Sequence, residues 1–262
     1  MIQSEVLHLN PFVKQPQPMW APVRGAGAID VPPIANLVNS EDYDMVRRMA
    51  FALLLVVVFL RFGYLHETLY LSFGIPYLML VSQPLAMLTA FMCGALGRTF
   101  QSQVGKMFLM YGIWMIPCTV FSSWIGGSVE QTKIYWLYFL PFVALIGGVI
   151  ASLKELRAFM YTGAFAAVAV MAARKLAGST EENGRMVHQG SIGNSNDYAA
   201  VLVFLLPFLG FAAINKKTPT VIRLASAGLI IYGLFLILST GSRAGLIALA
   251  AMIAFVFFFA SN

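Results

Sequence analysis

The stretch that decides the fold is GNSNDYAAVLVFLLPF, residues 193–208, in which a cluster of small amide and acid residues runs directly into an apolar segment. Of the 262 residues in the chain, 59% are hydrophobic and 11% are charged. The mean hydropathy is +0.78. These values lie far to the apolar side of soluble globular domains. The sequence therefore predicts an integral membrane protein, with this polar cluster at the start of one of its spans.

Apolar runs of the same kind recur along nearly the whole chain after residue 48. A helix of about 20 apolar residues crosses roughly 30 Å of hydrocarbon. The sequence therefore predicts an all-α fold, a polytopic transmembrane helical bundle with about eight spans. The expected spans lie near residues 47–65, 69–96, 104–122, 133–151, 156–173, 198–214, 221–239 and 243–260. The second run is long enough to be tilted, or broken at Pro76 or Pro84.

Residues 1–45 differ from the rest of the chain because they hold six prolines and show no lasting apolar period. They also lack the basic segment and the apolar run of a signal peptide. We expect an extended, Pro-rich cytoplasmic tail, followed by a transmembrane helical domain at 46–262. A partner protein, or the rest of the chain, is expected to hold this tail in place.

Charge and cysteine content argue against several kinds of function. The net charge is +6, but the basic residues are scattered at the ends of apolar runs. Such scatter is typical of topology signals and not of a nucleic-acid-binding surface. Cys93 and Cys118 lie inside apolar runs, where a free cysteine is an ordinary small hydrophobic residue. The sequence also lacks the usual motifs for a metal, a nucleotide or a serine nucleophile, so we expect neither a metal nor a cofactor.

The distribution of Lys and Arg between the loops favours one orientation. If the tail is cytoplasmic, nine basic residues gather on the cytoplasmic side and six on the other. This agrees with the positive-inside rule, so both termini are expected in the cytoplasm. The loop at 174–197 and the short turn at 239–243 then open on the same outer face, where they can converge on one site.

The first part of this candidate site is the segment GRMVHQGSIGNSND at 184–197. Its polar residues lie within about a dozen positions of one another at a predicted membrane surface: Arg185, His188, Asn194, Asn196 and Asp197. The simpler interpretation is a turn followed by a helix N-cap, supplied by Asn196 or Asp197 for a helix that starts at Tyr198. That interpretation explains one polar residue and leaves the others open.

The second part is Arg243, at the predicted start of the last span. The positive end of a helix dipole disfavours a cation there, and the positive-inside rule disfavours one on the outer side. A nearby anion would remove both objections, because a guanidinium offers a rigid fork of donors to phosphate or carboxylate oxygens. The alternatives are that Arg243 extends to lipid headgroups or forms a structural ion pair with Asp197.

A further group of ionisable residues, Arg61, His66 and Glu67, lies at the predicted outer end of the first span. Ionisable residues at membrane depth are functional candidates by default. A position close to the end of a helix also lets such side chains extend to the membrane surface. For these three residues we favour the second, structural interpretation.

Two of these segments resemble a known family. GNSNDYAAVLVFLLPF, followed about forty residues later by LSTGSRAGLIALAAM, is similar to the signature region of the O-antigen ligase and polymerase family of bacterial membrane proteins. Residues 196–199 take the place of the Asn-containing core of that family, with Ser195 where proline is usual. Residues 242–244 match its Ser-Arg motif. The resemblance covers about residues 185–255.

The resemblance implies an inverting, metal-independent glycosyltransferase in the bacterial inner membrane. Such an enzyme uses a polyprenyl-pyrophosphate-linked glycan at the outer face, where arginines hold the pyrophosphate. Arg243 then becomes the main substrate-binding residue, with Arg185, Asn196 and Asp197 beside it and Asn194 and His188 in the same loop. The family's catalytic histidine lies in a large outer loop, and no histidine follows Arg243 in this sequence.

The alternative is a noncatalytic, structural transmembrane subunit of a larger membrane complex. Such a subunit contacts membrane lipids through its spans and a partner protein through residues 1–45. A transporter is a third hypothesis, and it is weakened because the sequence shows no internal repeat of the kind found in many transporters.

Overall fold

The computed structural model describes residues 40–75, 78–180, 186–188 and 192–260 of the chain. Its described residues are helical apart from turns and one short antiparallel hairpin. In chain order the elements are α1 (Ser40–Phe62), α2 (Leu65–Phe73), α3 (Met79–Met92), α4 (Ala95–Gln101), α5 (Gln103–Val120), α6 (Ile125–Ile134), a π-helical turn (Tyr135–Phe139), α7 (Leu140–Val149), α8 (Leu153–Ala177), β1 (Gly178–Thr180), β2 (Met186–His188), α9 (Ser195–Ile214), α10 (Thr220–Ser239) and α11 (Arg243–Ala260).

The described helices include four that are long and apolar enough to cross a membrane. They are the continuous helix Ile125–Val149, the helix Leu153–Ala173 within α8, and the helices α9 and α10. The number rises to six if each of two bent helix pairs is one span. The protein is therefore a multi-pass, helical membrane protein, and the count of about eight spans stays a prediction.

The bundle is centred on α1, α8 and α9. The most extensive helix contacts join α9 to α10 and α8, and join α1 to α3 and α8. Leu54, Leu145, Leu202 and Leu205 are completely buried between these helices. A set of phenylalanine rings adds edge contacts, including a distance of 5.0 Å between the ring centroids of Phe62 and Phe204. Close packing of this kind holds membrane helices together, because lipid tails are as apolar as the side chains.

Two contacts fix which helix ends lie together. Arg47 near the start of α1 binds Glu155 in the first turn of α8 at 2.6 Å, so these two helices begin at the same end. The Asn215 amide after α9 donates to the Tyr161 hydroxyl in α8 at 2.9 Å, so α9 ends there. We call this the basic end. We call the opposite end, which holds Asn194 and Arg243 at the starts of α9 and α11, the hairpin end.

The start of α8 carries a capping box, in which two residues satisfy free amides of the first turn reciprocally. The Ser152 hydroxyl accepts a hydrogen bond from the Glu155 amide at 3.2 Å. The Glu155 carboxylate accepts from the Ser152 amide at 3.1 Å and from the Ala151 amide at 2.8 Å. Because Arg47 binds the same carboxylate, the cap also joins the beginnings of α8 and α1.

The two bent pairs break at left-handed residues. Helices α1 and α2 meet at 63° and α3 and α4 at 83°. Gly94 begins the second bend with φ of 65°, a value that glycine adopts easily. The predicted second span is therefore broken twice, between α2 and α3 and again at Gly94. Pro84 lies inside α3 without interrupting it.

Other boundaries differ from the sequence-based expectations. Helix α1 begins at Ser40, so residues 40–45 belong to the helix and not to the extended tail. The remainder of the predicted tail, 1–39, lies outside the described residues. The predicted loop at 174–197 contains the last turn of α8 and the hairpin β1–β2. The sequence Ser40-Glu41-Asp42 is typical of a helix start, because serine favours the N-cap and acidic side chains favour the first turn.

Candidate functional site

The start of α9 is capped by Asn194, and not by Asn196 or Asp197 as predicted. The Asn194 Oδ1 atom accepts a hydrogen bond from the Asp197 amide at 2.8 Å, and its Nδ2 donates to the Asp197 carboxylate at 2.7 Å. Helix α9 begins at Ser195, three residues earlier than Tyr198. The side chains of Asn194 and Asp197 therefore bind each other in the cap. Asn196, between them in the sequence, is exposed.

The start of α11 is built on a similar cap from Ser242. The Ser242 hydroxyl accepts from the Gly245 amide at 3.0 Å. The preceding turn is held by Thr240, whose hydroxyl donates to the Ile237 carbonyl at 2.6 Å and accepts from the Ser242 amide at 3.3 Å. Thr240 and Ser242 are buried, and Arg243, the first residue of α11, is exposed.

The starts of α9 and α11 lie side by side, as the sequence predicted. A Cβ atom added to Gly245 would come within 2.6 Å of the Ala199 Cβ atom, closer than real side-chain atoms approach. Gly245 therefore permits this contact. The two helix N-termini, each with its partial positive charge, are adjacent at the hairpin end, and Arg243 adds a full charge beside them.

A cavity of about 570 Å³ lies near the end of α1. Five of its lining residues are ionisable, namely Arg61, Tyr64, His66, Glu67 and Tyr138. His66 is oriented by a contact of 3.0 Å between its Nδ1 atom and the Leu60 carbonyl. Because a carbonyl can only accept, Nδ1 carries the proton, and in the neutral imidazole Nε2 is then an acceptor. That Nε2 atom lies 3.6 Å from the Glu67 carboxylate.

Arg61 is anchored in this cavity without a carboxylate partner among the described residues. Its guanidinium lies 4.9 Å from the centre of the Phe142 ring, a cation–π distance. Its Nη1 atom donates to the Gln83 amide oxygen at 3.4 Å. The Gln83 Nε2 atom in turn donates to the Tyr138 carbonyl at 3.3 Å. Gln83 therefore connects the cation to the π-helical turn, where backbone carbonyls lose their usual partners.

Tyr64 is the one described residue other than glycine with a positive φ, at 50°. A left-handed backbone is disfavoured for a bulky side chain and often marks a functional position. The conformation directs the chain from α1 into α2 and places Tyr64 at the cavity. Asp197 at the start of α9 is close enough to Tyr64 for a weak electrostatic effect, although it does not line the cavity.

The sequence analysis named Arg61, His66 and Glu67 and favoured a structural role for them, and it did not name Tyr64. The signal was the density of ionisable residues in FLRFGYLHET, since such residues are rare at membrane depth. The break after Phe62, which gathers them around one cavity, has no clear sequence signal apart from Gly63.

Two predicted site residues remain outside this geometry. Arg185 lies outside the described residues, and nothing places it relative to Arg243. His188 lies on β2, where its backbone is opposite Gly178 on β1. Within the described ranges, no group of three or more His, Cys, Asp and Glu side chains is close enough to share a metal ion.

Comparisons with protein-family models, with curated proteins and with solved structures gave no match for this chain.

Proposed function

We propose that the protein binds a polyprenyl-pyrophosphate-linked glycan at the hairpin end of its bundle and acts as an O-antigen ligase-like glycosyltransferase. The observation that carries the proposal is the exposed Arg243 at the head of α11, directly beside the N-terminus of α9. The resemblance of residues 193–208 and 242–244 to that family's signature supports the choice of substrate.

The chemistry of this arrangement suits a pyrophosphate. Two adjacent helix N-termini offer free amides and partial positive charge, and a guanidinium binds phosphate oxygens through two donors at once. Charge that develops on a leaving pyrophosphate would be stabilised in place. Asn196, exposed on the first turn of α9, can add an amide donor, and Arg185 completes the proposed set.

The cavity near α1 supports the same proposal. Arg61 provides a second cation, and the neutral imidazole of His66 can accept a proton from a hydroxyl at Nε2, where the Glu67 carboxylate 3.6 Å away would stabilise the imidazolium. A transferase of this class needs a proton acceptor for the attacking hydroxyl. The sequence offered none after Arg243, and we assign that role to His66.

The decisive experiment replaces Arg243 with Lys and with Ala in the full chain. Lys keeps the charge and loses two-point binding. We expect Arg243→Lys to lower glycan transfer and Arg243→Ala to weaken binding of polyprenyl pyrophosphate by about 2–5 kcal/mol, as for truncation of one partner in a buried charged pair. Binding is measured in nanodiscs and transfer is measured with a lipid-linked glycan donor.

The control is Arg98→Ala, which removes another exposed arginine, on α4. It should leave both binding and transfer unchanged. Wild-type binding by Arg243→Ala would overturn the proposed site. Normal binding with no transfer in any variant, including the wild type, would keep the site and reject the enzymatic activity.

The proposed location is the bacterial inner membrane, with about eight crossings, both termini in the cytoplasm and the hairpin end outside. Labelling with a membrane-impermeant thiol reagent tests this orientation. We expect Glu181→Cys to react from outside and Lys216→Cys to react only after the membrane is opened. The opposite pattern would reverse the orientation and remove the site from the outer face.

A second candidate is a structural subunit of a membrane complex, favoured by the exposure of α11. Every described side chain from Ile253 to Phe258 is exposed, including Phe255 and Phe257. A helix that is apolar on all sides contacts lipid or the helices of a partner. If residues 1–39 bind that partner, their deletion should reduce co-purification of other membrane proteins while the isolated bundle keeps its thermal stability.

A further inference from the structure

A groove at the basic end has a character unlike that of the proposed glycan site. It is a cavity of about 710 Å³ between α8, α9 and α10. Apolar side chains form most of its wall, among them Phe165, Leu209, Ile222 and Leu229. Lys217, its one cation, and Thr218 lie where α9 turns into α10, and the other polar residues of its lining are Tyr161, Thr162 and Ser226.

The apolar part of the groove continues along the bundle. A second cavity of about 380 Å³ shares Leu55, Thr162 and Phe165 with the first and extends to Leu60 on α1. On α8 the wall of the first cavity runs from Ala158 to Val168, about 15 Å at the helical rise of 1.5 Å per residue. This length is half of the roughly 30 Å hydrocarbon layer, which is the depth of one leaflet.

The polar mouth of the groove is rigid. The Asn215 side chain accepts a hydrogen bond from the Lys217 amide at 3.1 Å and donates to the Tyr161 hydroxyl at 2.9 Å. The buried Thr218 hydroxyl shares a hydrogen bond of 2.7 Å with the same Tyr161 hydroxyl. The turn that carries Lys217 is therefore fixed against α8, directly before the N-terminus of α10.

The surroundings of the mouth are strongly basic. The described side chains at this end include seven cations: Arg47, Arg48, Lys154, Arg157, Lys216, Lys217 and Arg223. Among the described side chains the acid beside them is Glu155, whose carboxylate binds Arg47 and caps α8. The first turns of α1, which begins at the same end, add Glu41, Asp42 and Asp44, so the cations still outnumber the acids. The charge is thus complementary to an anion that sits at the level of Lys217.

We propose that this groove is a binding site for one anionic phospholipid. An acyl chain lies between α8 and α10, and the headgroup phosphate lies at Lys217 and the first turn of α10. Basic residues at a membrane surface attract anionic headgroups, and the apolar groove orders the chain. This site is at the opposite end from Arg243 and does not depend on the proposed glycan function.

The test compares phosphatidylglycerol with phosphatidylcholine on the purified, delipidated full chain, by native mass spectrometry with added lipid. The wild type should retain phosphatidylglycerol in preference to phosphatidylcholine. Lys217→Gln should weaken retention of phosphatidylglycerol about fivefold and leave phosphatidylcholine unchanged. Lys216→Gln, on the neighbouring exposed lysine outside the cavity lining, should have a clearly smaller effect.

A second pair of variants tests the groove itself. Ala225 lines the cavity and Ala227 does not, although both are exposed on α10. Ala225→Phe fills the groove and should reduce retention of both lipids, whereas Ala227→Phe should leave retention at the wild-type level. Equal retention of the two lipids by the wild type, or equal effects within either pair of variants, would mean a non-specific lipid shell and would overturn the proposal.

Discussion

Helices α9 and α11 begin alike and end in different surroundings. Both start from a polar cap, Asn194 in one and Ser242 in the other, and both continue as uninterrupted apolar runs. Ten residues of α9 are buried, distributed from Ser195 to Ala212. In α11 the six side chains from Ile253 to Phe258 are all exposed. Helix α9 packs against α8, α10 and α11, whereas α11 packs mainly against α9.

This difference shows what hydropathy records in a membrane protein. Lipid and a protein interior accept the same apolar side chains, because lipid tails are as apolar as leucine. The hydropathy of a span therefore reveals that it enters the membrane, and not which of its faces meets another helix. Burial is set by shape, through small residues that allow close approach and large ones that fill the remaining space.

The largest expected effect comes from disturbing the contact of α9 with α8. Gly163 on α8 is buried, and a Cβ atom there would overlap the ring of Phe208 on α9. The ring belongs to an aromatic cluster and has little room to move, since its centroid lies 5.6 Å from that of Phe204. We expect Gly163→Val to lower the free energy of unfolding by about 3 kcal/mol, measured by denaturation in mixed detergent micelles.

The matched control is Gly228→Val on α10, where a Cβ atom meets nothing within 4 Å. There the same substitution should change stability little, or raise it slightly, because glycine is a poor helix former. If both variants lose the same free energy of unfolding, helix propensity and not side-chain packing determines the stability of the bundle.

A smaller effect is expected from removing side-chain volume. Leu202 on α9 is completely buried, and Ile247 on α11 is 71% exposed. Leu202→Ala should cost about 2 kcal/mol, the low end of the range for such substitutions, because the cavity term remains while transfer to lipid contributes little. Ile247→Ala should cost less than about 0.5 kcal/mol. Similar losses from the two variants would show that α11 is buried by something outside this chain.

The smallest effect is expected at the caps, where the two helices are alike. Asn194→Ala and Ser242→Ala each remove a cap and should cost about 1 kcal/mol. Asn196→Ala, two residues from the first cap and exposed, should be close to neutral and serves as the control. Thermal unfolding of the three variants measures these differences. A larger loss in Asn196→Ala than in Asn194→Ala would contradict the assignment of the cap.

Sequence reasoning predicted a multi-pass helical membrane protein and the meeting of the α9 and α11 starts, and its count of about eight spans stays a prediction. Both can be read from the sequence, from the length of each apolar run and from the alternation of successive loops between the two sides of the membrane. It misplaced the α9 cap, because Asn194, Asn196 and Asp197 are chemically similar and only the backbone at Asn194, with φ of −140°, decides among them. It ended the first span at residue 65 and began the next at 69, whereas α1 ends at Phe62 and α2 begins at Leu65, since no residue preference indicates a left-handed tyrosine at position 64.

The π-helical turn at Tyr135–Phe139 has a consequence for how the chain tolerates change in length. A π-helical turn contains one residue more than an α-helical turn. It therefore changes the direction in which the side chains of the following helix point around the helix axis. Helix α6 before the turn has no buried residue, and α7 after it has six. A single-residue deletion here would rotate α7 by about 100°, one residue step of an α-helix. In any homologous chain, a one-residue gap at this point should therefore appear together with changes at Gln83 and along the buried face of α7.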